Sequence, residues 1–387
     1  MHNDRLSGVV DRSRLDEAVG APVLTGRVDR VRARLGDAGA DALLVTTPEN
    51  IRWLTGFTGS AGLLLVTAGG AVLTTDGRYR TQAAEQLADA GVADAVDLAI
   101  GGVEAQLTVL GTALVGHARL GLESGNVTWS AMRSWAARWP EVELVPTDGV
   151  VTELRMVKDG WEIDRMVRAA AIADAALASV TDLLTGDRDM GTTELAVAAA
   201  LDHAMRELGA EDRAFETIVA SGPNAAKPHA RPTGRRIEVG DPVVVDFGAM
   251  FDGYRSDMTR TFSVGRPPEG EMARVFEVVA ASQRAGVASV RPGERAGEID
   301  RVCRDVIAEA GWADRFEHGT GHGVGLDIHE APSVGPGSTA NLSPGVVVTV
   351  EPGVYLAGLG GVRIEDTLVV TADGSRTLTE FPKEVVL

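Results

Sequence analysis

The sequence predicts an α/β (α+β) protein of two domains, the second built from an internal repeat. Three observations carry this. Helix and strand signals alternate from Gly26 to Val145, as in an α/β layer structure. Beyond Trp161 the order becomes helix, helix, strands, and then helix, helix, strands again. The two strand groups also carry acids at matching places. Gly240-Asp-Pro-Val-Val-Val-Asp246-Phe-Gly sets a carboxylate six residues after a turn glycine, and so does Gly345-Val-Val-Val-Thr-Val-Glu351-Pro-Gly.

Residues 1–24 show no sustained periodicity and read as a loosely ordered leader. In the first domain, residues 25–150, the pattern predicts a helix over Val28–Leu35 with Gly36 as its stop signal. It then predicts a strand at Ala42–Thr46, a hairpin of Leu63–Val66 and Ala71–Thr75, and a helix at Thr81–Ala90. A short strand at Leu120–Leu122, a helix at Trp129–Trp139 and a strand at Val142–Val145 complete it. Leu154–Trp161 is a connection. The second domain, residues 155–387, opens with helices at Glu162–Leu184 and Thr192–Leu208. Thr192 is the expected N-cap, with Glu194 in the first turn to complement the helix dipole. Strands at Phe215–Ala220, Val243–Phe247 and Arg260–Val264 follow, then helices at Glu271–Val290 and Ala296–Ala310, then strands at Val346–Val350 and Val362–Val370.

Composition removes several function classes. A net charge of −18 argues against a binder of nucleic acid or anionic membrane, whose footprint is basic. The single cysteine, Cys303, permits no intrachain disulfide and fits a reducing cytoplasm. It shares a helical face with Ile299, Val306, Ile307 and Ala310, and so reads as a small core residue rather than a nucleophile. No apolar signal region follows the polar N-terminus. Leu54–Thr75 is uncharged but interrupted at Gly69-Gly70, so it reads as two strands and a turn rather than a membrane span.

The chemistry concentrates in Glu317-His-Gly-Thr-Gly-His-Gly-Val-Gly-Leu-Asp-Ile-His-Glu330, which holds three of the seven histidines. Glycines at 319, 321, 323 and 325 disfavour helix, so His318 and His322 are not a helical metal pair. The run also lacks the spacing of a dinucleotide-binding loop. Each repeat adds a second acid on its following strand, Asp257 in Tyr254-Arg-Ser-Asp-Met-Thr-Arg-Thr-Phe262 and Glu365 in Gly361-Val-Arg-Ile-Glu-Asp-Thr-Leu368. Two such halves, related by a pseudo-twofold axis, would gather four carboxylates. Acids within apolar strands are costly to bury unpaired, and four together repel unless cations neutralise them. Two divalent ions balance four negative charges. Oxygen-rich ligation with one imidazole suits Mn²⁺ first, with Co²⁺, Fe²⁺ or Zn²⁺ as alternatives. Paired ions of this kind serve hydrolysis.

The set Asp246, Asp257, His322, Glu351 and Glu365, with its flanking words, resembles the five metal ligands of the pita-bread metallopeptidases, whose members include methionine aminopeptidase, aminopeptidase P and prolidase. Thr55-Gly-Phe-Thr-Gly-Ser60 and Thr75-Asp-Gly-Arg-Tyr79 resemble the creatinase-type N-terminal domain of the proline-specific members. The resemblance implies an N-terminal creatinase-like α/β domain followed by a C-terminal pita-bread domain. It implies an Xaa-Pro aminopeptidase or dipeptidase, acting on small peptides with proline in the second position, in a homodimer. By it, Asp246 chelates one metal, His322 and Glu351 hold the other, and Asp257 and Glu365 bridge them. Glu351 shuttles the proton. His229, His318 and His329 are catalytic and substrate-binding, Arg363 holds the carboxylate cluster, and Tyr355 lines the pocket. The glycines let the 319–325 backbone approach the site. Two other classes stay open: a creatinase-like or other non-peptidase hydrolase or lyase on the same fold, and an inactive binding module. The filled ligand set counts against both. His117 and His203 read as surface residues, and Trp53, Trp129 and Trp135 as packing residues.

Overall fold

A computed structural model describes residues 12–16, 19–184, 192–383 and 386. The chain divides into two compact units, one spanning Gly20–Arg155 and the other Met156–Leu387 together with the segment before Gly20.

The Gly20–Arg155 unit is a mixed six-stranded sheet with helices. In chain order it runs α1 (Arg27–Arg34), β1 (Ala42–Val45), α2 (Pro48–Thr55), β2 (Gly62–Thr67), β3 (Ala71–Thr75), α3 (Arg80–Asp89), β4 (Asp97–Ile100), α4 (Val103–Ala113), β5 (Arg119–Glu123), α5 (Trp129–Arg138) and β6 (Glu143–Thr147). The strand order is β4-β3-β2-β1-β5-β6. Strands β1, β2 and β3 are antiparallel neighbours, whereas β4, β5 and β6 join in parallel. The uncharged 54–75 run thus forms the expected two strands and turn. Among the described residues, no helix is long and apolar enough to cross a membrane.

In this unit α2, β4, α4 and the short helix Thr152–Arg155 escaped the sequence reading. Helix α2 has Pro48 in its first turn and ends at Gly56 with φ 75°, both ordinary helix punctuation, but it is short and runs into the apolar stretch. Strand β4 is a half-exposed edge strand with little alternation, and α4 contains Gly111 and two threonines. Two of the three tryptophans pack as expected. Trp53 is buried under the Arg27 guanidinium and Trp135 stacks on Trp139, but Trp129 is 73% exposed.

The second unit opens with α6 (Gly160–Val180), which starts ahead of the expected Glu162 because Asp159 and Glu162 form a reciprocal capping box. Helix α7 (Glu194–Glu207) is capped by Thr193, not Thr192, through a side-chain bond from Ala196 N. Strands β7 (Asp212–Arg213), β8 (Ile218–Ser221), β9 (Pro242–Phe247), β10 (Ala249–Phe251), β11 (Tyr254–Arg255) and β12 (Met258–Ser263) follow. Helices α8 (Gly270–Ser289) and α9 (Ala296–Glu309) come next, then β13 (Gly321–Gly323), β14 (Glu330–Val334), β15 (Val347–Val350), β16 (Gly353–Leu356), β17 (Gly360–Arg363), β18 (Asp366–Val370) and β19 (Ser375–Thr377). The expected strand at Phe215–Ala220 is the shorter β8. The expected strand at Val362–Val370 is two strands, broken at Ile364-Glu365.

The repeat is visible in the pairing. Strand β9 pairs antiparallel with β12, and β15 with β18; between them the chain makes a small hairpin, β10–β11 in one half and β16–β17 in the other. Each long strand begins after a glycine in the left-handed region, Gly240 at φ 92° and Gly345 at φ 89°, a conformation that a side chain strains. Helices α6 and α7 share an apolar core with β8, β9 and β12, and α8 and α9 share another with β15, β17 and β18. The halves meet where Glu365 N donates to Thr259 O (3.1 Å) and Arg363 N donates to Thr261 Oγ1 (3.0 Å).

Of the residues expected to form a leader, 12–15 make a short 3₁₀ turn. Arg14 ties it down, pairing with Glu380 at 3.0 Å and donating to Leu378 O at 2.8 Å. Residues 1–11, 17 and 18 lie outside the described residues.

Candidate metal centre

Asp246 lies in β9, and Glu351 one residue beyond β15. Asp257 sits in the break between β11 and β12, and Glu365 in the break between β17 and β18. Those two breaks are where the halves abut, so all four acids face one cleft, together with His322 of β13. The cleft has a volume of about 530 Å³ and lies wholly within the second unit. It is also lined by His229, His318, His329 and Arg363; Tyr355 stands just behind, bonded to His318 and Arg363. All ten residues singled out from the sequence therefore converge. His203 is an exposed helix residue beside Glu207, and His117 belongs to the other unit. The latter is less superficial than expected, since its Nδ1 is buried.

The charge problem at this centre is severe. Burial is the first cause pushing the Asp257 and Glu365 carboxyls well up, with mutual repulsion added; Glu351 is pushed up to about 8 by burial and then by Asp246. Arg363 offsets part of this, its Nη2 lying 2.5 Å from Asp246 Oδ2. Thr259 Oγ1 donates to Glu365 Oε2 at 2.7 Å. Two carboxylate oxygens, Asp246 Oδ1 and Glu365 Oε1, are buried without any hydrogen-bond partner. Orphaned acceptors at this depth call for a proton or a cation.

His322 adds a nitrogen lone pair at the same place. Its Nδ1 donates to Gly323 O at 2.9 Å, which leaves Nε2 as a lone pair. That lone pair faces Asp257 Oδ2 and Glu351 Oε1, each at 3.5 Å. Burial holds the imidazole down at about 4, so it is neutral near pH 7 and cannot be the cationic partner of these acids. An acceptor facing acceptors fits a metal ion between them. Ligand atoms of Asp257, His322 and Glu365 lie within 4.8 Å of one another, an ordinary metal-ligand grouping.

His318 has a different task. Burial lowers it to about 4 as well. Its Nδ1 donates to Gly319 O (2.8 Å), so its Nε2 accepts from Tyr355 Oη (2.8 Å), and that hydroxyl accepts from Arg363 Nη1 (2.7 Å). A continuous chain thus runs from Asp246 through Arg363 and Tyr355 to His318. His329 packs edge-on against His322 with ring centroids 4.4 Å apart, and His229 is an exposed residue of the cleft lining.

The glycines of the histidine stretch serve packing within the sheet. A Cβ on Gly321 would lie 2.1 Å from Thr349 O of β15, so glycine is what lets β13 approach its neighbour. Gly319 and Gly321 also line the cleft, so the same stretch of backbone that packs in the sheet borders the site.

Two supporting groups were missed. Asp300 on α9, 2% exposed, accepts from Thr320 N (3.1 Å), Thr320 Oγ1 (2.9 Å) and Arg304 Nε (2.8 Å). Arg304 in turn donates to Phe316 O (2.9 Å) and to His318 O. This acid–base pair at i,i+4 clamps the segment carrying His318; on sequence it looks like a surface helix pair. Glu194, expected only to complement a helix dipole, is fully buried and accepts from Ser221, Asn224 and Thr233, bracing the loop that carries His229. Cys303 is a buried core residue whose thiol burial pushes up to about 11.

Against known proteins, the pattern of metallopeptidase family M24 matches residues 164–372, and that of the creatinase/prolidase N-terminal domain matches residues 27–157. The uncharacterized peptidase YqhT of Bacillus subtilis is 40% identical over 361 residues, covering 93% of this chain and 99% of that one. The Xaa-Pro dipeptidase of Pyrococcus furiosus is 39% identical over 268 residues, 69% of this chain and 75% of that one. The solved structure of an Xaa-Pro dipeptidase from Bacillus anthracis superposes with a TM-score of 0.88 at 36% identity, covering 94% of this chain and 100% of that one.

Proposed function

The chain belongs to metallopeptidase family M24, and from that premise we propose that it hydrolyses the peptide bond before proline, releasing the N-terminal residue of Xaa-Pro peptides. Its N-terminal unit is the creatinase/prolidase type and its C-terminal unit is the pita-bread catalytic domain. The observation that carries the reading is the buried ring of four carboxylates around a neutral imidazole, with two carboxylate oxygens left unpartnered.

Asp246, Asp257, His322, Glu351 and Glu365 would hold the divalent ions. Bound there, the two ions supply a water of lowered pKa and polarise the scissile carbonyl. Glu351 would hold and return the proton, since it faces both the metal site and the attacking water. His318 keeps its Nε2 oriented through Tyr355, and with His229 and His329 it orients the peptide and stabilises the developing charges. Arg363 holds Asp246 in place through their ion pair. Mn²⁺ is the first choice of metal on the oxygen-rich ligand set. A cytoplasmic setting accords with the single buried cysteine, and a homodimer with the resemblance to the proline-specific members.

The test is hydrolysis of an Xaa-Pro dipeptide with added Mn²⁺ or Co²⁺, with and without chelator, in wild type and Asp257→Ala. Activity should vanish with chelator and in the variant, along with stoichiometric metal uptake. Full activity in metal-stripped Asp257→Ala protein refutes the reading.

A further inference from the structure

The two histidines that flank His322 are held differently. The His318 ring is bonded at both nitrogens, to Gly319 O and to Tyr355 Oη. His329 lines the cleft with its ring packed edge-on against His322, and among the described residues no hydrogen bond fixes that ring. Its place is therefore set by its backbone, the loop of residues 324–329 between β13 and β14. The next residue closes that loop. Glu330 opens β14 opposite Gly323, and its carboxylate turns back inward. Oε1 accepts from Asp327 N (3.0 Å), and Oε2 accepts from Lys158 Nζ (3.0 Å). A Cβ on Gly325 would lie 2.7 Å from both oxygens, so the turn wraps tightly around the carboxylate.

Both partners of this ion pair are buried, the Lys158 side chain 1% exposed and that of Glu330 7%, a depth that neither charge tolerates alone. Lys158 is also rooted at its backbone. Its N donates to Gly345 O (2.8 Å), its carbonyl lies 2.6 Å from where a Gly345 Cβ would stand, and Val157 bridges Val346. The ammonium thus reaches across 172 residues and ties the His329 loop to the root of β15, the strand that leads into Glu351. A buried pair of this kind adds little net stability over apolar groups of the same shape, but each charge must find the other, which fixes geometry. Resting on the proline-peptidase reading, we propose that the Lys158–Glu330 pair positions His329 for catalysis. Neither side chain lines the cleft, so both act through the imidazole.

The experiment uses the full chain carrying Lys158→Met and Glu330→Gln together. The two changes remove both charges at nearly constant shape, strand no buried charge and leave Asp327 N an acceptor. With Mn²⁺ bound and an Xaa-Pro dipeptide as substrate, kcat should fall about tenfold and KM stay within about twofold, as a small misplacement of one catalytic group gives. Bound metal and thermal unfolding should match wild type. The deciding measurement repeats the comparison in His329→Ala protein. There the same two substitutions should cost less than about twofold, because residues that act through one group do not add. An equal loss in that background overturns the assignment, as does wild-type kcat in the paired variant or in His329→Ala. Activity that falls only in step with bound metal or melting temperature gives the pair a structural task alone and also overturns it. Failure of the loaded wild type to cleave any Xaa-Pro peptide overturns the underlying reading, and this one with it.

Discussion

Stripping the metal should make stability of the catalytic unit fall as pH rises through neutrality, the reverse of ordinary acid denaturation. Glu351 is raised from an ordinary 4.5 to about 8 in the folded protein. Between those values the folded state binds more protons than the unfolded state, so unfolding free energy decreases with pH. His318 and His322 act oppositely: lowered from 6.5 to about 4, they add stability as pH rises through that interval. Asp174, raised to about 6, acts below that value. The clean window is therefore pH 6.5 to 8. There the Glu351 shift alone corresponds to about 2 kcal/mol, with Asp257 and Glu365 acting in the same direction. For a unit of this size that is roughly 4–8 °C in melting temperature. Bound cations keep the cluster ionised and should flatten the slope. Differential scanning calorimetry of chelated and Mn²⁺-loaded protein at pH 6.5 and 8 measures both. A chelated protein whose melting temperature is level or higher at pH 8 refutes the reasoning, as does an equal slope with and without metal.

Three further outcomes follow from the same contacts. Tyr355→Phe removes the hydroxyl joining Arg363 to His318 and should lower kcat on the order of tenfold, about 1.5 kcal/mol, with KM near wild type in steady-state assays. Asp300→Ala leaves Thr320 N without its acceptor and Arg304 without its charge partner; the cost should be about 3 kcal/mol in urea unfolding, and a loss under 1 kcal/mol would deny the clamp its importance. Cys303, fully buried with its thiol raised to about 11, should resist a disulfide thiol reagent in native protein and react once unfolded; stoichiometric native labelling within minutes would contradict its core placement.

The local sequence determined the elements and the chemistry. Short continuous apolar runs bounded by turn residues placed β1, β2, β3, β9 and β15 close to where they lie, because such signals act over a few neighbours. The matching acid words Asp246/Glu351 and Asp257/Glu365 identified the repeat, and an acid inside an apolar run reports its own need for a partner. What the tertiary structure decided was which polar groups answer one another. Arg363 reaches Asp246 across 117 residues, Glu194 reaches Ser221 across 27, and Asp300 reaches Thr320 across 20. None of these pairings leaves a periodic trace, so Glu194 and Asp300 looked like helix-surface acids. Gly321 borders the site and also lets β13 meet β15, a second task that shows only once the two strands lie side by side. Burial of a polar side chain is set by what the rest of the chain brings to it, and that is known only once the chain has folded.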